Sequence, residues 1–188
     1  MPVLPPVRQL NRFFLLSWLI AVVQVAGLQG ARQFTEAAVA GWTLAATISY
    51  AFIYLLPALL LAHLLRRLLA YRSMRSAPAV LAAAAVGLTG LTQVLLFADR
   101  LIHDMYGFHI NGFVIDLVLT PGGIAALGAG PGTRIAAGLV VLAFFAAQAG
   151  AYAWVMRRDE PGRWTGRIRW RWVLLSLVLL STGERLAY

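Results

Sequence analysis

The sequence contains no cysteine and no lysine, and only seven acidic residues. Without cysteine there is no disulfide framework, no Cys-ligated zinc or iron–sulfur centre and no thiol nucleophile. Charged residues of either sign make up 12% of the 188 positions, about half the usual share of a soluble domain, while 61% are hydrophobic. Such a chain is expected in a membrane rather than as a soluble globule. The sixteen basic residues, all arginine, give a formal charge of +9. In a soluble protein that charge would point to nucleic acid, but only if it gathered on one folded face.

Its distribution excludes that reading. Uncharged stretches long enough to cross a hydrocarbon core of about 30 Å, at about 1.5 Å per helical residue, alternate with clusters of arginine. Five spans are expected, at about residues 13–30, 38–65, 78–98, 135–156 and 172–188. The chain thus reads as a single all-α, polytopic membrane domain over residues 1–188. Pro57 should interrupt hydrogen bonding within the second span. The clusters before span one, after span two and after span four hold twelve of the sixteen arginines. The positive-inside rule then places the N-terminus in the cytoplasm and the C-terminus outside. That topology accounts for every cation, so no nucleic-acid partner is expected, whereas anionic lipid headgroups are. The first span also has the form of a signal peptide, but its removal would leave an even number of crossings and strand one arginine cluster on the wrong side. The last span is still apolar at Tyr188, and the chain reads as a piece cut from a longer protein.

Lipid tails give helices no hydrophobic reason to associate, so small residues should mark their contacts. Ala79, Ala83 and Gly87, with Gly90, line one row of span three, and Ala143, Ala147 and Ala151, with Ala146 and Gly150, run along span four. These two spans are expected to meet through Ala83, Gly87, Ala147 and Gly150. Gln24, Gln93 and Gln148 lie inside spans and need partners from other helices. His63, a turn before Arg66 and Arg67, is expected to snorkel to the interface. The tryptophans and most tyrosines fall near span ends as interfacial anchors; they form no stacking series for a nucleotide, and no cofactor is expected.

The connection 99–133 is much the longest, and long ordered connections tend to carry function. It is expected to lie outside as an amphipathic segment, broken into short helical pieces at Gly107 and at Asn111-Gly112 and ended by Pro121-Gly122-Gly123. Three readings of its polar residues stay open. His103, Asp104, His109 and Asp116 are the candidate ligands for zinc or manganese, or the groups of an acid/base site. Their spacing opposes this: six residues place His103 and His109 about 600° apart on a helix, so they share a face only through the Gly107 break. Arg100 and loop amides could instead receive a lipid phosphate. In the third reading the residues are structural, with Asp99 pairing Arg100 or capping a helix and His109 and Asn111 bonding turn carbonyls.

Asp99, the run His109-Ile110-Asn111, and the run from Leu117 to Pro121 together resemble the N-terminal membrane domain of inner-membrane sulfatase-like proteins of Gram-negative bacteria, the YejM/PbgA-like branch of the alkaline-phosphatase superfamily. The detailed resemblance covers about 25 residues, 97–121; the five-span plan covers the whole chain. It implies a cytoplasmic N-terminus, and a periplasmic sulfatase-like domain after the fifth span. It also implies that the chain as given is not itself an enzyme, since the nucleophile and metal ligands of that domain are absent. Lipopolysaccharide, cardiolipin or another inner-membrane protein would be the partners, in regulation of envelope lipids. Asp99, Arg100, His109, Asn111 and Pro121 are then lipid-adjacent or structural, not catalytic. The alternative from the enzyme class is a small membrane metallohydrolase or headgroup transferase using residues 99–116.

Overall fold

A computed structural model describes residues 4–28, 37–72, 74–122 and 130–157. These residues form helices only: α1 (Val7–Leu28), α2 (Ala37–Tyr71), α3 (Ala77–Tyr106), the short α4 (Gly112–Leu119) and α5 (Pro131–Arg157). All but α4 are long and apolar enough to cross a membrane. The expected fifth span, 172–188, lies outside the described residues.

The long helices outrun the expected spans. Apolar counting stops at the first charge, whereas a helix continues into water as long as its polar residues tolerate helical geometry. α2 therefore carries Arg66 and Arg67 and ends at Tyr71, and it passes through Pro57 as one helix. α3 likewise extends two turns past Ala98, so Asp99, Arg100, His103 and Asp104 belong to a helix end rather than to a loop.

α1 and α3 form the centre of the bundle, packing on each other and each on α2 and α5, and α4 lies clear of the other helices. One face of α1 is buried, Leu10, Phe13, Phe14, Ser17, Ala21 and Val25, at the three- and four-residue steps of a helical stripe. Against it pack Ala51, Leu55, Ala58 and Ala62 of α2, Ala85 and Leu96 of α3, and Val155 of α5. Connecting contacts fix an up-and-down arrangement: Arg66 Nε, late in α2, donates to Pro5 O, just before α1, at 2.9 Å. The bundle therefore has a basic end, where α1 and α3 begin and α2 and α5 finish, and an Asp99 end.

The glutamines meet across helices as expected. Ser17 Oγ donates to Gln148 Oε1 at 2.6 Å, Gln93 Nε2 donates to Ser17 O at 2.8 Å, and Gln24 Nε2 donates to Gln93 Oε1. Ser17, Gln93 and Gln148 are fully buried. A chain of side-chain bonds thus ties α1, α3 and α5 where apolar packing alone has little preference between registers.

The small-residue row behaves differently. α3 and α5 do meet, but Ala83, Ala147 and Gly150 are exposed among the described residues, and a side chain at Gly87 or Gly150 would meet nothing within 4 Å. The close approach is at Gly90, where a Cβ would stand 2.7 Å from the Phe145 ring, and Phe97 packs on Phe144 at 5.6 Å. Gln93 turns inward to bond Ser17 O and Gln24 of α1, and the buried stripe is Ala77, Leu81, Ala85, Thr89, Gln93 instead. His63 is half-buried and stacks on Phe14, ring centroids 6.2 Å apart.

Candidate functional site at the Asp99 end

The polar end of α3 turns back on itself. Gly107 terminates the helix with φ 75°, a left-handed conformation that glycine adopts without a Cβ clash, and its N–H donates to His103 O at 2.8 Å. The chain then reverses and returns along the last turns of α3. This brings residues ten and eleven positions after Asp99 against its carboxylate. His109 Nδ1 donates to Asp99 Oδ2 at 2.8 Å, and the Ile110 backbone N–H donates to Oδ1 at 2.7 Å.

Both carboxylate oxygens are thereby engaged, and the Asp99 side chain is only 14% exposed against 61% for His109. A bond to a carboxylate places the ring proton on Nδ1 and fixes which way the imidazole faces. The next residue starts α4: Asn111 is extended at φ −132°, ψ −177°, and its Oδ1 accepts from Val114 N at 3.2 Å, an N-cap. α4 runs to Leu119 and stops at the turn formed by Pro121 and Gly122, the latter at φ 84°. The expected breaks at Gly107 and Asn111-Gly112 are thus in place; Gly123 and residues up to 129 lie outside the described set.

The pairings differ from those expected. Asp99 does not pair with Arg100, and His109 bonds a carboxylate rather than a turn carbonyl. Arg100 lies 3.7 Å from Asp104, one turn on, in a pair exposed enough to contribute at most about 1 kcal/mol. Its guanidinium also crosses to α1, covering Gly27 so closely that a Cβ there would overlap it. That places a cation on the last turn of α1, where the helix dipole favours one.

The Gly107 break also brings His103 onto His109, with stacked rings 4.6 Å apart. No group of three His, Asp or Glu side chains is placed to hold a metal among the described residues, and Asp116 points its backbone oxygen, not its carboxylate, into the Thr120 cap. The Asp99–His109 pair has the form of a base with its orienting carboxylate. Among the described residues no hydroxyl is hydrogen-bonded to that imidazole.

α4 itself is a run of apolar residues around one acid, Gly112-Phe113-Val114-Ile115-Asp116-Leu117-Val118-Leu119, and none of it is buried. A short helix apolar on nearly all sides does not rest in water. Sequence reasoning locates the breaks but not the latch, because the Asp99–His109 bond depends on a reversal whose direction one glycine decides.

Fold and site together define an all-helical protein, among the described residues, with four helices suited to spanning a membrane and a latched apolar helix at one end. The chain matches no known protein family, no curated protein and no solved structure.

Proposed function

We propose that the chain is the five-span membrane anchor of an inner-membrane sulfatase-like protein, N-terminus cytoplasmic and C-terminus periplasmic, whose Asp99 end recognises anionic lipid or a membrane partner. The observation that carries this reading is the latch. Asp99, His109 and Asn111, the residues on which the family resemblance rests, are those that join α3 to α4. Their work is positional, since the carboxylate and the cap are consumed in holding the backbone. With twelve arginines on the cytoplasmic side, the latch stands at the outer interface, where α4 lies flat among headgroups. Arg100, half-exposed beside it, is the cation for a phosphate of lipopolysaccharide or cardiolipin.

Three experiments test the parts separately. Alkaline phosphatase fused after Tyr188 should be active and green fluorescent protein there dark; the reverse pattern would contradict the topology. The coding sequence downstream of Tyr188 should continue into a sulfatase-like domain, and a stop codon would remove the anchor reading. Arg100→Gln should lower capture of lipopolysaccharide or cardiolipin by the purified protein about fivefold, from about 1 kcal/mol per near-surface arginine. Unchanged capture would exclude Arg100 as the headgroup contact.

A further inference from the structure

At the basic end, opposite the latch, three segments leave an apolar groove of about 540 Å³, within the size range of small-molecule sites. One wall is Pro5, Pro6 and Gln9, at the start of α1; the second is Pro78 and Ala82, in the first turns of α3; the third is Tyr152 and Met156, near the end of α5. We propose that this groove takes an acyl chain of an anionic phospholipid, with the lipid phosphate held at its mouth by arginine.

The walls suit a hydrocarbon chain. Three prolines line them, and a proline backbone has no N–H left unsatisfied against an acyl chain. They are also held in place: Arg66 Nε grips Pro5 O at 2.9 Å, and the Tyr152 ring meets Phe13 edge-on at 5.3 Å.

The charge around the mouth suits a phosphate. α1 and α3 both start at the groove, and neither has an acidic residue in its first turn to answer the positive end of its dipole. Ser76, at the N-cap of α3, makes no side-chain capping bond. Each wall carries an exposed arginine beside it in sequence: Arg8 in α1, Arg75 just before α3, and Arg157 at the end of α5. All the carboxylates among the described residues, Asp99, Asp104 and Asp116, lie at the other end. Beyond Arg157 the sequence to residue 171 adds two acids but five more arginines. Apolar walls whose charged neighbours in sequence, among the described residues, are all arginines match an amphiphile with one negative head, not a free anion and not a zwitterionic lipid. This site is independent of the function proposed above, and in the topology proposed there it faces the cytoplasmic leaflet.

The test uses the full chain in nanodiscs with phosphatidylglycerol or phosphatidylcholine carrying a photoreactive acyl chain. Phosphatidylglycerol should label peptides holding residues 4–9, 78–82 and 152–156 well above phosphatidylcholine. Arg75→Gln and Arg157→Gln should each lower that preference about fivefold. Ala82→Trp should abolish groove labelling, and Arg100→Gln, at the far end, should leave it unchanged. Because tryptophan at 82 disturbs a packed helix, the arginine variants, on exposed side chains, provide the decisive readout. Equal labelling by the two lipids, no response to the arginine variants, or a chemical cross-link placing residues 158–188 in the groove of lipid-free protein would each overturn the proposal.

Discussion

At the Asp99 end a nearly buried carboxylate gathers an imidazole and a backbone amide and so fixes where a separate helix begins. At the basic end no carboxylate is present among the described residues, and the helices are joined by apolar contacts, Leu69, Ala77 and Leu81 with Leu4 and Leu65, and by the bond from Arg66 to the Pro5 carbonyl. One end is held by directional bonds, the other by packing under a shell of like charge. The difference predicts different responses to substitution. Removing a polar group at the Asp99 end should cost stability and local order, whereas removing a charge at the basic end should alter what binds there and leave stability nearly unchanged.

The largest effect is expected at Asp99. Asp99→Ala leaves the Ile110 N–H and His109 Nδ1 without their acceptor, and two bonds to a charged group, one of them half in solvent, correspond to about 3 kcal/mol. Unfolding in mixed micelles should register that loss, and Asp99→Asn should recover part of it. A change below about 0.5 kcal/mol would mean that the latch contributes nothing.

The interior between the two ends comes next, and it separates the two small-residue positions on α3. Gly90→Val must push the Phe145 ring aside and should destabilise by about 1–3 kcal/mol. Gly87→Ala, with open space around it, should be neutral or stabilising by up to about 1 kcal/mol from helix propensity. Equal effects at both would show that the row facing outward is covered after all. Gln93→Leu removes bonds to Gln24 and to Ser17 O and should cost about 1 kcal/mol in the same assay. The smallest effect belongs to the basic end: Arg157→Gln should shift the unfolding midpoint by no more than about 0.5 kcal/mol. A larger loss there would erase the contrast between the ends.

Much of the helical plan is legible in the sequence because charges interrupt apolar runs, and the three glutamines announce their need for one another. The helix ends are less legible. Asp99, Arg100 and Asp104 end an apolar count but do not end a helix, so α3 runs on to Tyr106. The packing row is misread for a related reason: four-residue spacing of small side chains marks two possible faces of α3, and only the partners of Gln93, which come from α1, decide which turns inward. At the latch the residue types are visible and the pairing is not. Ten residues separate Asp99 from His109, and a single left-handed glycine determines that they meet. The groove is invisible in the sequence, since its three walls come from positions about seventy residues apart.

The central claim, that Asp99 sets α4 in place, is tested most directly by amide hydrogen exchange of the chain in nanodiscs, wild type against Asp99→Ala. The latch predicts that protection falls across residues 110–119 while residues 77–85 at the basic end keep theirs. Unchanged protection in α4, or an equal loss at both ends, would contradict it.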